Sequence, residues 1–212
     1  MIDCKLIAVD TSVPESGYSQ AEILDAMSGE HEGQRYIENL RAVDGLRTRY
    51  LSVPLARLEP TKGEDLNTLV QRHRRESISL SIEATTGVLD KTSTSAQELG
   101  YLCCVTSTGY LMPTLSAHLA RGLNIQGDVQ RADLVGMGCS GAINGLSSLA
   151  YWCAGNPGRK GALVCSEVYS SIYTQEATRI AIAANSLFGD GCATVIAVSD
   201  EKDTFSGFRV WG

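Results

Sequence analysis

The sequence has no long apolar run and no excess of positive charge. No segment approaches the roughly 18 to 20 consecutive apolar residues of a membrane-spanning helix, and Met1 is followed by Asp3 rather than by a basic leader. The 18 basic residues are outnumbered by 24 acidic ones, and the resulting net charge of −6 has the wrong sign for a protein that coats nucleic acid. We therefore expect a soluble, cytoplasmic protein with no membrane span and no nucleic-acid partner.

The seven cysteines lack the spacing of a metal site. Their number is odd and most of them lie in apolar, strand-like segments, so we interpret them as reduced thiols. Cys103 and Cys104 are adjacent, and neighbours in a strand point to opposite faces, so the two cannot serve one site. We expect both to pack in the core, and we expect no metal.

Short apolar segments alternate with helical ones along the chain. With 212 residues and 43% hydrophobic content, the chain can form one domain with a full core, and it shows no internal repeat. Ser19 and Glu22 form a capping box that opens a helix. Strands are predicted at 5–9, 100–108, 161–168, 192–199 and 205–212, and helices at 34–42, at 67–89 and after Pro113. The alternation predicts an α/β domain of layered helices around a mixed, largely parallel sheet.

One cysteine, Cys139, lies where an apolar strand turns through glycines into a helix, in the sequence GMGCSGA (136–142). The free N–H groups and partial positive charge of a helix N-terminus favour a nucleophilic thiolate. Gly138, Ser140 and Gly141 form the backbone turn, which would let substrate approach the sulfur and could serve an oxyanion. A structural cysteine at a glycine-rich turn fits the same pattern, so this segment alone leaves both interpretations open.

Two other turns carry candidate site residues. Residues 106–113 offer hydroxyl groups and a large apolar side chain beside a helix start, and 187–191 form a glycine turn before an apolar strand. Asp190 is expected to accept hydrogen bonds from neighbouring backbone N–H groups, whereas Phe188 could be a core residue or a pocket wall. Each segment alone is a weak signal, because polar residues are common caps at such turns.

In order along the chain, these segments resemble the N-terminal half of a type III polyketide synthase, a thiolase-fold condensing enzyme of the chalcone-synthase type, and more distantly ketoacyl-ACP synthase III. The similarity runs from about residue 45 to the end of the chain and rests on LRTRYLSVPL, VTSTGYLMPTLSAHLARGL, VGMGCSGAINGL, ALVCSEV and SLFGDGCATVIAVSDE. The last four of these segments are collinear motifs at family-like spacing, which together are a strong signal, whereas any one of them is weak.

The resemblance implies that Cys139 accepts an acyl group as a thioester. The positions that match the family's substrate-binding residues are Ser107, Thr108, Met112, Glu167, Tyr169, Ile172 and Phe188. Among these, Met112 would project across a dimer interface, and Phe188 would be a gatekeeper of the cavity. The implied substrates are the CoA thioesters acyl-CoA and malonyl-CoA, or an acyl group donated by an acyl carrier protein. The resemblance implies no bound cofactor.

Residues 140–145 depart from the plant chalcone-synthase pattern, which indicates a microbial or divergent condensing enzyme. The family's catalytic histidine and asparagine belong to the second half of the fold, and the chain ends before them. His31, His73 and His118 match no catalytic position, and we interpret His73, flanked by arginines, as part of a solvated basic face.

We therefore expect residues 1–212 to be a single domain, the half that carries the nucleophile, with the C-terminal half absent from this chain. It would act as a homodimer or in an assembly with a C-terminal half, and Met112 and the helix over 140–152 would lie near the contact. The apolar side chains of that helix, Ile143, Leu146, Leu149, Ala150 and Cys153, are expected to need a covering partner.

Three functional hypotheses follow. The chain is an acyltransferase half of a condensing enzyme, a truncated non-catalytic partner subunit of a full-length synthase, or an unrelated α/β hydrolase. A scaffold has no evident need for a nucleophile at a helix start, which favours the first hypothesis. The hydrolase is disfavoured, because no aspartate and histidine follow the nucleophile in the required order.

Overall fold

A computed structural model of the chain describes residues 4–27, 37, 45–55, 65–125, 127–173, 178–199 and 208–209. The strands are β1 Lys5–Ser12, β2 Gly17–Ser19, β3 Thr48–Tyr50, β4 Leu99–Thr106, β5 Gln130–Val135, β6 Lys160–Val168, β7 Asp190–Val198 and β8 Phe208–Arg209. The helices are α1 Gln20–Ala26, α2 Leu66–Lys91, α3 Leu115–Gly122, α4 Gly141–Gly155 and α5 Arg179–Leu187. Short 3-10 turns lie at Ala96–Glu98, Gly138–Ser140 and Tyr169–Ile172.

Six strands form one sheet in the order β5-β4-β6-β7-β1-β8, and β2 and β3 form a separate pair. β4 pairs in parallel with β5 and β6, whereas β7 runs antiparallel to β6 and β1. β1, β4, β5 and β6 thus share one direction. Of the five strand pairs in the described sheet, three are antiparallel and two are parallel, so the sheet is mixed, as predicted, but it is not largely parallel. One edge of the sheet is formed by the ends of β4, β5 and β6 and the start of β7. There, Thr106 of β4 pairs with Val135 of β5, and Val168 of β6 pairs with Asp190 of β7. The three segments with candidate site residues meet at this edge.

The long helix α2 packs on one face of the sheet. Its N-cap residue, Asp65, accepts a hydrogen bond from the Thr68 N–H, which satisfies one of the free donors at the helix start. The helix side chains that face the sheet are His73, Ser77, Leu80, Ser81, Ala84, Thr85, Val88 and Leu89. With α3 and the sheet, they enclose a core that includes Leu102, Leu119 and Ile196.

Helix α4 covers the opposite face. Leu149, Ala150 and Cys153 pack there against Cys103 and Leu163. Because Cys104 lies in the core on the α2 side, the prediction that Cys103 and Cys104 are core residues on opposite faces is confirmed.

The expectation that the apolar side chains of α4 need an external partner is wrong for three of them. Leu149, Ala150 and Cys153 are buried inside the chain, because they point toward the sheet. Ile143 and Tyr151 do face outward, at 66% and 63% exposure.

Several local predictions are tested by the described residues. The capping box of Ser19 and Glu22 is present at the start of α1. The predicted helix at 34–42 lies outside the described residues except for Ile37, which is helical, and the strand at 205–212 is described only as β8. None of the described helices is both long enough and apolar enough to span a membrane.

Candidate active site

Cys139 lies in the 3-10 turn Gly138–Ser140, between the end of β5 and the start of α4. Gly136 and Gly138 adopt φ angles of +74° and +60°, the left-handed region that glycine enters without steric cost. These two residues turn the chain between strand and helix and leave the Cys139 side chain exposed. The glycine-rich strand-to-helix turn expected from the sequence is therefore present, and we call residues 136–140 the nucleophile turn after the function predicted for Cys139.

The other six cysteines are much less accessible. They are Cys4, Cys103, Cys104, Cys153, Cys165 and Cys192. Burial raises the pKa of the Cys103 and Cys192 thiols to about 11 and that of Cys165 to about 12, which disfavours their thiolates at neutral pH. No disulfide joins the seven cysteines, all of which the structure describes. Cys139 is the exposed thiol of the set.

Ser107 connects the end of β4 to the nucleophile turn. Its hydroxyl oxygen accepts a hydrogen bond of 2.8 Å from the Gly138 N–H, one residue before Cys139. The Gly136 N–H also donates to the Thr106 carbonyl at 3.1 Å. Two hydrogen bonds therefore fix the nucleophile turn against the 106–107 segment.

Glu167, near the end of β6, holds the same segment from the other side. Both of its carboxylate oxygens lie 2.9 Å from the Ser107 nitrogen, and one lies 2.9 Å from the Thr108 nitrogen. The Thr108 hydroxyl oxygen in turn accepts a 2.9 Å hydrogen bond from the Val168 N–H. A carboxylate that accepts backbone N–H groups makes strong, charge-assisted hydrogen bonds, so the ends of β4 and β6 are firmly joined.

Tyr169 and Phe188 form an aromatic pair that continues this edge. Their ring centroids are 5.0 Å apart, and Phe188 keeps 44% of its surface exposed. The Tyr169 hydroxyl donates to the Asn185 side chain at 3.2 Å, and burial raises the pKa of Tyr169. Arg49 donates to the Phe188 carbonyl at 2.7 Å, which fixes the backbone that carries the ring. Phe188 is thus a partly exposed surface aromatic rather than a core residue.

Asp190 departs from the predicted local turn. Its carboxylate accepts hydrogen bonds from the Ser170 N–H at 2.8 Å and from the Ser52 N–H at 2.7 Å, and also from the Ser170 hydroxyl. These donors lie far from Asp190 in sequence. Ser170 is close in space because strand pairing brings Val168 beside Asp190. Asp190 therefore joins three chain segments instead of capping its own turn.

The remaining predicted site residues lie around this edge. Met112 is 78% exposed and Ile172 is 37% exposed. The Ser140 hydroxyl donates to the Met137 carbonyl at 2.9 Å, and Gly141 is buried against Val105. The structure thus brings Ser107, Thr108, Glu167 and Gly138 into one hydrogen-bonded group, while Met112 and Ile172 lie at the surface.

The interpretation of His73 as a solvated residue is wrong. Only 2% of this side chain is exposed, and its Nε2 atom lies 3.2 Å from the Thr108 hydroxyl oxygen and 3.3 Å from the Ser77 hydroxyl oxygen. Positions 73, 77, 80, 84 and 88 share one helical face, and all are buried. That spacing indicates a buried helix face. It was not recognised because the face begins with two polar residues, His73 and Ser77, and because arginines flank His73 in sequence.

No hydrogen bond joins the Cys139 thiol to another described residue. His118, on α3, has its pKa lowered by burial and by the charges of Arg74 and Arg121, and His31 lies outside the described residues. The described part of the chain therefore presents a positioned thiol without a base in contact with it.

Comparison with known proteins identifies the family. The model of the N-terminal domain of chalcone and stilbene synthases matches residues 3–201. A 3,5-dihydroxyphenylacetyl-CoA synthase of Amycolatopsis balhimycina is 36% identical over 200 residues, which are 93% of this chain and 52% of that protein. A 1,3,6,8-tetrahydroxynaphthalene synthase of Streptomyces peucetius subsp. caesius is 29% identical over 194 residues, 90% of this chain and 51% of that protein. The chain spans about half the length of these relatives.

Solved structures show the same architecture. The match to PKS-I of the brown alga Ectocarpus siliculosus covers 97% of this chain and 59% of the PKS-I chain, with a TM-score of 0.85 and 21% identity. The 1,3,6,8-tetrahydroxynaphthalene synthase of Streptomyces coelicolor, a bacterial type III polyketide synthase, matches 91% of this chain and 56% of its own with a TM-score of 0.81 and 23% identity. At these identities the likeness shows the fold, which is the predicted N-terminal half of a thiolase-like fold. With the family match over residues 3–201, it follows that the chain belongs to the chalcone and stilbene synthase family and corresponds to the N-terminal domain of its members.

Proposed function

We propose that this chain is the acyl-accepting half of a type III polyketide synthase. The observation that carries the proposal is the exposed Cys139 in a turn fixed by the hydrogen bond from the Gly138 N–H to Ser107. The Cys139 thiolate attacks the carbonyl carbon of an acyl-CoA, or of an acyl carrier thioester. The carbon–sulfur bond of the donor breaks, CoA leaves as its thiolate, and the acyl group remains on Cys139 as a new thioester.

The second step is a decarboxylative condensation. Malonyl-CoA loses carbon dioxide, and the resulting carbanion equivalent attacks the Cys139 thioester, which forms a carbon–carbon bond and releases the cysteine. The charge that develops in this step needs hydrogen-bond donors and a proton source. Because no described side chain forms a hydrogen bond with the Cys139 thiol, we assign these functions to a C-terminal half, supplied as a separate polypeptide or as further sequence.

Substrate contacts fall to the residues at the same sheet edge. Ser107 and Thr108 lie beside the nucleophile turn, and the exposed side of Phe188 offers an apolar wall. The names of two relatives describe synthases of polyhydroxylated aromatic compounds, one of them a CoA thioester. The first name, in which the compound formed is a CoA thioester, supports CoA thioesters as the class of compound on which this chain acts.

Intact-protein mass spectrometry tests the first step. The chain is incubated with a panel of acyl-CoA thioesters, and the wild type is expected to gain one acyl group. Cys139→Ala should gain none and should keep its far-ultraviolet circular dichroism, because alanine fits this exposed turn. Cys165→Ala is the matched control and should be acylated like the wild type. A wild-type chain that is not acylated, alone or with a C-terminal half, contradicts the proposal and favours the non-catalytic partner.

The second step is tested by turnover of malonyl-CoA. The chain is assayed alone and together with the C-terminal half of a relative, and product is expected only from the mixture. If the lone chain forms polyketide as fast as the mixture, then the assignment of the condensation groups to a second half is wrong.

A further inference from the structure

His73 on α2 is a buried side chain for which the proposed acyl transfer has no direct use. Its ring packs behind the 106–109 segment, so that a Cβ atom at Gly109 would lie only 2.4 Å from ring atoms Cε1 and Nδ1. Nε2 faces the hydroxyl groups of Thr108 and Ser77 at 3.2 and 3.3 Å. The ring therefore contacts the segment that also carries Ser107.

The Thr108 hydroxyl group has two partners. The Val168 N–H donates to the Thr108 oxygen, which leaves one lone pair and the hydroxyl hydrogen for His73. Nε2 accepts that hydrogen when the ring proton is on Nδ1, and it donates to the Thr108 oxygen when the ring proton is on Nε2. Burial lowers the pKa of His73 to about 4, so the ring is neutral at neutral pH and keeps an acceptor nitrogen. Together these two bonds fix the side-chain rotamer of Thr108.

From Thr108 the contacts continue to the nucleophile turn. The Thr108 N–H is bound by Glu167, and the preceding residue, Ser107, accepts the hydrogen bond from Gly138. A Thr108 side chain that rotates away would release the Val168 N–H and loosen the backbone between Glu167 and Ser107. The position of the turn that carries Cys139 therefore depends on the contact of the His73 ring.

Stability alone does not account for a histidine at this position. The Nδ1 atom is buried and finds no hydrogen-bond partner among the described residues. A buried polar atom without a partner lowers the stability of the folded state. A leucine at position 73 would remove this cost, but it would also remove the contacts of Nε2 with the Thr108 and Ser77 hydroxyl groups.

We propose that His73 is a positioning residue that acts through Thr108 to hold the Ser107–Thr108 segment, and with it the Cys139 turn, in the reactive arrangement. The proposal rests on the proposed role of Cys139 as the nucleophile. Its test measures thiol chemistry, which needs neither a CoA substrate nor a second polypeptide.

The test measures the rate at which iodoacetamide alkylates Cys139 in the 212-residue chain, mapped by peptide mass spectrometry. The variants are His73→Leu, His73→Gln and His73→Asn. The amide group of glutamine reaches the position of Nε2, whereas that of asparagine reaches only the position of Nδ1. We expect alkylation on the order of fivefold slower in the leucine and asparagine variants, a size typical of coupling between contacting residues, and recovery to about the wild-type rate with glutamine. Gln71→Ala, on the exposed side of the same helix, is the control and should change nothing.

Thr108→Val provides a second test. Once the hydroxyl is removed, His73→Leu should have no further effect on the Cys139 rate. Equal Cys139 rates in folded wild type and His73→Leu would overturn the positioning role alone. If His73→Leu fails to fold, equally slow glutamine and asparagine variants would overturn it. A wild-type chain alkylated first at another cysteine would instead overturn the nucleophile assignment, and the role of His73 with it.

Discussion

The carboxylate of Glu167 binds the backbone of Ser107 through both oxygens, each 2.9 Å from the amide nitrogen. Glu167 belongs to β6 and Ser107 directly follows β4, so this contact joins the carboxyl ends of two adjacent parallel strands. The Ser107 hydroxyl oxygen also accepts a hydrogen bond from the Gly138 N–H, so the Glu167 carboxylate affects the position of the nucleophile turn through Ser107. Glu167 therefore holds the site together without touching Cys139.

Replacing Glu167 with glutamine tests this role. The amide retains one acceptor oxygen but turns an NH2 group toward a backbone N–H, so at least one charge-assisted hydrogen bond is lost. We expect a loss of about 1–3 kcal/mol in the free energy of unfolding and slower acylation of Cys139. Urea denaturation and intact-protein mass spectrometry measure the two. Glu15→Gln, at an exposed position, is the control, and a Glu167→Gln chain equal to it in both measurements would contradict this role.

The sequence predicts the turn that carries Cys139 better than the contacts around it, for a physical reason. The turn is found because the glycines required between strand and helix are local in sequence. The contact between Glu167 and Ser107 spans 60 residues and depends on the pairing of β4 with β6, which no local pattern specifies. His73 is missed because burial is decided by the helical face as a whole, whereas its neighbours in sequence are arginines. Tertiary contacts thus supply what local patterns lack.

Packing of α4 on the sheet should depend on Gly145. A Cβ atom at this position would lie 2.6 Å from Leu163 Cδ1 and 3.0 Å from Val105 Cγ2, both buried. Gly145→Ala is expected to destabilise the fold by about 1–3 kcal/mol through overpacking, less the gain in helix propensity. Gly155→Ala is the matched control at the end of the same helix, because no atom lies within 4 Å of its added Cβ. Urea midpoints that fall equally in both variants would contradict the close approach at Gly145.

The stability of the chain should depend on pH through His73. Burial lowers its pKa in the folded chain to about 4, from an ordinary value of 6.5. Between these values the unfolded chain binds a proton that the folded chain does not, so stability is full above pH 6.5 and falls as the pH drops toward 4. Between pH 7 and 5 the loss from this group is about 2 kcal/mol.

Urea unfolding at pH 7 and pH 5 measures this loss. His73→Gln removes the titrating group and should lose less stability over the interval than the wild type. His118, whose pKa is also lowered, remains in both proteins and contributes equally to each. Identical losses in wild type and His73→Gln would show that His73 does not remain neutral by burial.

The exposed apolar side chains beside the site favour an assembly. Met112 is 78% exposed, and on the outer face of α4 Ile143 and Tyr151 are 66% and 63% exposed. Exposed apolar side chains grouped on one helix face are typical of an interaction surface. We expect the 22.7 kDa chain to associate at micromolar concentration, as a dimer or with a C-terminal half. Ile143→Glu should shift the mass from light scattering toward that of the monomer, because association would bury the new charge. The control Ser79→Glu, at an exposed position of α2, should leave the mass unchanged. A wild-type mass of one chain at these concentrations, with and without a C-terminal half, would contradict the prediction.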